Sequence, residues 1–179
     1  MLTRQVITHA RLIEEGISRK KIKVMTKILA LFPTPFKGIY YIPSPEERKS
    51  TSIDKPLMIL TRAIAAYLRT KEFYYSCRTA EEFFGINWQP SGEIHIVNTK
   101  LSRKIDLKSR ITRNEKKNNY RAKRIAKILS LYGREIFFHK IKSINKAKVK
   151  QTPYGTFALR SQIKKDKKKF REVWLFPRK

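Results

Sequence analysis

Val6, Ala10 and Ile13 are spaced by four and three residues, one apolar face of a helix, and predict a first helix over residues 3–15. Gly16 follows as its stop, since glycine takes the left-handed backbone of a C-terminal cap at little cost. Ser18 is a good N-cap for a second helix to about residue 31, with Ile22, Met25 and Leu29 as its buried stripe. Pro33 and Pro35 forbid its continuation. Residues 36–42 read as a strand pair, or a strand with a turn, closed by Pro43 and Pro45. Two short helices joined by a glycine turn and followed by a hairpin predict a winged helix-turn-helix over residues 1–45. The polar, breaker-rich stretch 43–55 reads as a linker, leaving 46–179 as a second domain.

Pro56 opens a helix to about residue 70 that is apolar on nearly all sides, as expected of a central core helix, with Arg62 and Arg69 exposed. Residues 72–76 read as a strand, and Thr79 to Glu82 as a capping box before a helix ended by Gly85. The alternation in 93–98 predicts a strand, with 104–107 pairing beside it. A further helix is expected near 115–132, with Ile125, Ile128, Leu129 and Tyr132 facing inward, then strands at 135–139 and 156–159. Apolar Val173, Trp174, Leu175 and Phe176 predict a docked tail. The fold class expected is α+β, an N-terminal winged helix-turn-helix followed by a basic α/β C-terminal domain.

Charge changes this picture from a fold into a function. The 179 residues carry 42 Lys+Arg against 14 Asp+Glu, a net charge of +28. Residues 1–98 account for +6 of it and 99–179 for +22. Solubility by charge normally mixes lysine with glutamate, and the second half has too few acids, so a polyanionic partner is expected, nucleic acid first. No apolar run approaches the ~20 residues of a membrane span, and the first residues lack the apolar stretch of a secretory signal. A single cysteine, Cys77, excludes an internal disulfide framework and fits a cytoplasmic protein that does not act at a membrane.

Arg19, Lys20 and Lys21 crowd the first turn of the second helix, where the helix dipole favours anions instead. Arg19, Lys20, Lys23 and Lys27 fall away from its apolar stripe, so this helix is expected to enter the major groove of double-stranded DNA, with Lys37 on the wing touching the backbone. The lysines and arginines of 100–127 and 164–171, Lys116, Lys123, Lys127, Lys164, Lys165 and Lys168 foremost, are expected to add phosphate contacts.

The order of several short motifs resembles the AbiEi-type antitoxin and transcriptional-regulator family of type IV toxin–antitoxin systems, over roughly residues 10–100. The motifs are Glu15 to Arg19, Gly38 to Pro43, Phe73 to Ser76, Thr79-Ala80, Phe84-Gly85-Ile86 and Glu93 to Thr99. The resemblance implies a DNA-binding repressor of its own operon, opposing a nucleotidyltransferase-like toxin. The chain departs from the family in its short N-terminal domain and in its lysine density beyond residue 100.

Two other readings come from the residues. Tyr120, Tyr132, Phe137, Phe138, Tyr154 and Phe157 lie among the cations of the second half and, if exposed, would stack on unpaired bases of RNA or single strands. Glu93 and Asp106 followed by Lys108 form a loose pattern for a metal-dependent nuclease. His9, His95 and His139 lack ligand spacing and read as hydrogen-bonded structural residues, and Cys77 as a packing residue. No phosphate-cradling glycine motif occurs, so no catalytic residue, metal or cofactor is expected.

Overall fold

The computed structural model describes residues 5–117 and 119–175. In chain order the elements are β1 (Gln5–Thr8), α1 (His9–Glu14), α2 (Arg19–Lys27), β2 (Phe32–Pro33), β3 (Ile39–Ile42), α3 (Pro45–Ser50), α4 (Pro56–Leu68), β4 (Phe73–Tyr75), α5 (Cys77–Phe83), β5 (Glu93–Asn98), β6 (Arg103–Asp106), α6 (Leu107–Glu115), α7 (Tyr120–Ser130), β7 (Glu135–Lys140), β8 (Val149–Thr152), β9 (Gly155–Ala158) and α8 (Arg160–Leu175). The strands form two sheets, ordered β1-β3-β2 and β6-β7-β5-β4-β9-β8, in a mixed α and β fold.

The chain makes two compact units that do not follow the division expected at residue 45. Unit 1 combines residues 1–70 with 106–134, and unit 2 combines 71–105 with 135–179. The stretch expected to be a linker is instead the short helix α3. Ser44 and Glu47 form its capping box, and the Tyr41 hydroxyl donates to Glu47 Oε2 at 2.7 Å. The Asp54 amide donates to Glu47 Oε1 at 3.1 Å, so this buried carboxylate ties β3, α3 and the chain beyond them together.

In unit 1 the first helix is shorter than expected. Residues 5–8 pair antiparallel with β3, from Gln5 opposite Ile42 to Thr8 opposite Ile39. Thr8 then caps α1, its Oγ1 accepting from the Arg11 amide at 3.2 Å. The helical spacing of Val6, Ala10 and Ile13 thus straddles a strand and a helix. Leu12 is the residue α1 buries, and Ile13 faces solvent. Gly16 takes φ +79° and closes α1, with the Ile17 amide donating to Leu12 O at 3.0 Å. Ser18 caps α2 as expected, through the Lys21 amide, but α2 ends at Lys27 because Leu29 turns into the left-handed region. Ile7, Leu12, Ile22 and Leu31 form the core beneath, with Ile17, Met25, Tyr40 and Ile42 packed against it.

The helix expected near 115–132 is two helices. Asn119 breaks the run and caps α7, accepting from the Ala122 amide at 2.8 Å. α6 precedes it, capped by Asp106 through the Ser109 amide at 2.9 Å. α6 and α7 pack together as a helical hairpin, and α7 packs on β2, which brings this hairpin into unit 1. α7 buries Ala122, Ala126, Ile128 and Leu129.

In unit 2, β5 runs parallel to β7 with Glu93 opposite Glu135 and His95 opposite Phe137, and antiparallel to β4. β6 lies beside β7, not beside β5 as expected. Thr79 does not cap α5: its hydroxyl donates to Glu93 O and accepts from the His95 amide, stitching α5 to β5. Phe83, Phe157 and Tyr75 stack in sequence, at 3.8 and 5.0 Å between ring centroids. α8 docks through Ile163, Asp166 and Phe170. The docked tail expected from Val173 to Phe176 lies outside the described side chains. No helix of the described residues is long and apolar enough to cross a membrane.

Candidate nucleic-acid interface

The new division redistributes the charge. Unit 1 holds 23 Lys+Arg against 7 Asp+Glu, a net of +16, and unit 2 holds 19 against 7, a net of +12. The contrast between a mild N-terminal half and an extreme C-terminal half disappears, because the lysine-rich α6–α7 hairpin joins the N-terminal elements.

On α2 the buried residue is Ile22, while Arg19, Lys20, Lys21, Lys23, Val24, Lys27 and Ile28 at its end are exposed. The helix contains no acidic residue. Its first turn holds three cations at the positive end of the helix dipole, an arrangement unfavourable by roughly 0.3–1 kcal/mol for each well-placed charge and relieved when a phosphate arrives. Lys37 is the exposed residue of the β2–β3 loop, and Gly38 beside it takes φ +77°. The rest of that loop is packed down: Phe36 stacks on Tyr67 at 4.5 Å, and Arg110 donates to Pro35 O at 2.6 Å. The loop is thus a pinned turn with one protruding cation.

α6 presents a second basic face. Lys108, Ser109, Thr112, Arg113 and Lys116 line a shallow groove along it. Three cations and two hydroxyls in a row are the side chains that bind phosphate oxygens. Its cations fall within the lysines and arginines of 100–127 expected on phosphate, but the helix that aligns them was not expected. The available signal was Asp106 as a cap, with Leu107, Ile111 and Asn114 at helical spacing.

α7 uses its cations differently. Arg121 donates to Thr26 O at 3.5 Å, near the end of α2. Arg124 donates to the Thr51 hydroxyl at 2.7 Å and to Arg48 O. Lys127 donates to Ser50 O at 3.0 Å. These carbonyls are among the last of α2 and α3, where helices leave acceptors unsatisfied. Lys127 makes this contact within unit 1 while itself exposed, as are Lys116 and Lys123 on the hairpin. The Arg121 contact sets the start of α7, with Tyr120 at 76 % exposure, beside the end of α2.

In unit 2, Lys164, Lys165 and Lys168 project from α8 opposite its buried Ile163 and Phe170. The interior holds a run of titratable groups. Glu93 Oε2 lies 3.4 Å from His95 Nε2, and His95 Nδ1 lies 3.0 Å from His139 Nε2. Phe137 stacks on His95 at 4.8 Å and Phe170 on His139 at 4.2 Å. Burial holds the His95 imidazole below its ordinary pKa against the pull of Glu93, and burial with His95 beside it pushes His139 down to about 3. Both rings are therefore neutral at physiological pH. The hydrogen bond with His95 holds the Glu93 carboxyl low, with Arg78 at 3.5 Å adding to the effect. Nearby, buried Asp166 accepts from Ser76 at 2.6 Å and from Gln162 at 2.9 Å. Burial pushes the Cys77 thiol up to about 12, consistent with a packing residue.

Glu93 opens β5 in unit 2, and the Asp106 carboxylate is used as the N-cap of α6 in unit 1. Among the described residues no group of three or more His, Cys, Asp or Glu side chains is placed to hold a metal ion. Of the six aromatics considered for base stacking, Tyr132, Phe137, Phe138 and Phe157 are buried, leaving Tyr120 and Tyr154. Comparison with protein-family models, curated proteins and solved structures finds no match to the chain.

Proposed function

We propose that the protein is a double-stranded-DNA-binding transcriptional regulator in which α2 is the groove-entering helix of a winged helix-turn-helix. The observation that carries this reading is the outer face of α2: four exposed cations, Arg19, Lys20, Lys23 and Lys27, on a helix without an acid. Two features support it. The strand order β1-β3-β2, with α1 and α2 between β1 and β2, is compatible with a winged helix in which the β2–β3 turn serves as the wing. The basic groove of α6 and the lysines of α8 supply sequence-independent affinity. In line with the AbiEi-type resemblance, the regulated promoter is that of its own operon, and the opposed protein is a nucleotidyltransferase-like toxin.

The test is binding to duplex DNA upstream of its gene as salt is varied. Log affinity falls with log salt at a slope of about −0.9 for each phosphate neutralised on duplex and about −0.7 on single strands. Arg19→Ala, Lys20→Ala and Lys23→Ala together reduce the duplex slope. An unchanged slope and affinity in that variant removes α2 from the interface.

A second reading, RNA or single-strand binding, is favoured by Tyr120, whose exposed ring lies 5.6 Å from the Arg124 guanidinium at the start of a basic helix. Tighter binding to single strands or RNA than to duplex, lost on Tyr120→Ala, selects it over the first.

A further inference from the structure

The cations of α2 account for attraction to DNA but not for any preference among sequences, because phosphates are the same everywhere. The outer face of α2 also carries two apolar side chains. Val24 is 49 % exposed and Ile28 is 62 % exposed, although α2 buries Ile22 on its other side. They stand four residues apart, one turn of helix, and so share a face. Val24 lies one turn beyond Lys20, and Ile28 follows Lys27 directly. The two side chains thus form a short apolar strip on the same outer surface as the cations. Arg121, held on Thr26 O, adds a further cation at the Ile28 end.

A single exposed valine or isoleucine on a protein surface calls for no explanation. Here the setting selects an occupant. Exposed lysines border the strip and no acid lies on the helix, so an approaching polyanion is drawn onto it. A major groove that receives this helix offers one apolar feature on its floor, the C5-methyl group of thymine. We infer that Val24 and Ile28 read thymine methyl groups and give the protein a preference for A·T-containing major-groove sites. The inference rests on the duplex-binding reading of α2 and adds its base preference.

The experiment uses the full chain and three duplexes of equal length: alternating dA·dT, the same duplex with deoxyuridine in place of thymidine, and alternating dG·dC. Removing the methyl group leaves charge and base pairing unchanged. The wild-type chain is expected to bind the thymidine duplex about three- to tenfold more tightly than the deoxyuridine duplex. Val24→Ser with Ile28→Ser removes that difference and leaves the salt slope intact, because no phosphate contact changes. Both side chains are exposed, so the variant folds, and an unchanged thermal transition verifies it. Equal binding of the thymidine and deoxyuridine duplexes by the wild type overturns the inference while duplex binding stands. So does a thymidine preference that survives in the double variant, since it would then arise elsewhere on the surface. Absence of salt-dependent binding to all three duplexes overturns the duplex reading itself.

Discussion

Units 1 and 2 carry comparable positive charge but differ in where they keep their ionisable groups. Unit 1 sets cations on α2 and α6 toward solvent and uses Arg121, Arg124 and Lys127 of α7 on carbonyls near helix ends. Unit 2 places lysines on α8 and buries His95, His139 and Asp166 among its strands and helix. Charge count therefore says little about use. A lysine on α2 and a lysine on α7 look alike in sequence, and one helix faces outward while the other fastens its neighbours.

The sharpest way to test this contrast is acid. His139 has its pKa lowered from 6.5 to about 3 by burial, and His95 is lowered as well. Below the ordinary value the unfolded chain binds protons that the folded chain refuses, so the stabilisation is fully present above about pH 6.5. For His139 it is lost as pH falls from there toward 3, by at most about 1.4 kcal/mol per pH unit, and the lowered His95 acts in the same direction. Hydrogen exchange of the paired β5 and β7 amides, among which both histidines lie, reports the unfolding of unit 2. His139→Gln is expected to flatten the acid limb. An unchanged limb would show that the histidines do not set it.

Next in size is the α2 triple variant at Arg19, Lys20 and Lys23, expected to lose about a hundredfold in duplex affinity at moderate salt, with no loss of thermal stability. Lys164→Ala, Lys165→Ala and Lys168→Ala on α8 should cost about tenfold, equally for every duplex sequence. Selective loss on one sequence would move base reading to unit 2. The smallest effect is expected from Arg124→Ala: about 1 kcal/mol of stability, a thermal shift of roughly 3–8 °C, and an unaltered salt slope. A changed slope with unchanged stability would turn Arg124 into a phosphate ligand and erase the distinction between α2 and α7.

Local signals were legible where one residue decides a boundary. Ser18 starts α2, Pro56 starts α4, and the alternation of 93–98 is β5. Signals failed where tertiary pairing overrides spacing. Val6 belongs to a strand because β3 is there to pair with it. Ser44 and Glu47 carry a capping box at the right interval, but the polar stretch around them hid it behind the look of a linker. At the candidate site, the cations of α2 were readable because a helix in isolation has an outside. The engagement of Lys127 with Ser50 O was not, since it joins residues 77 positions apart.

Unit 1 is assembled from two stretches separated by residues 71–105. On a ribosome adding about 5–20 residues per second, α2 leaves the exit tunnel several seconds before α6 and α7 have been made. During that interval the side chains destined to pack on α7 have no cover, so nascent chains cut short before residue 134 are exposed to chaperones and proteases. Timing of translation across residues 71–134 thereby becomes a determinant of how much active protein a message yields, a dependence that a fold made of two consecutive segments would escape.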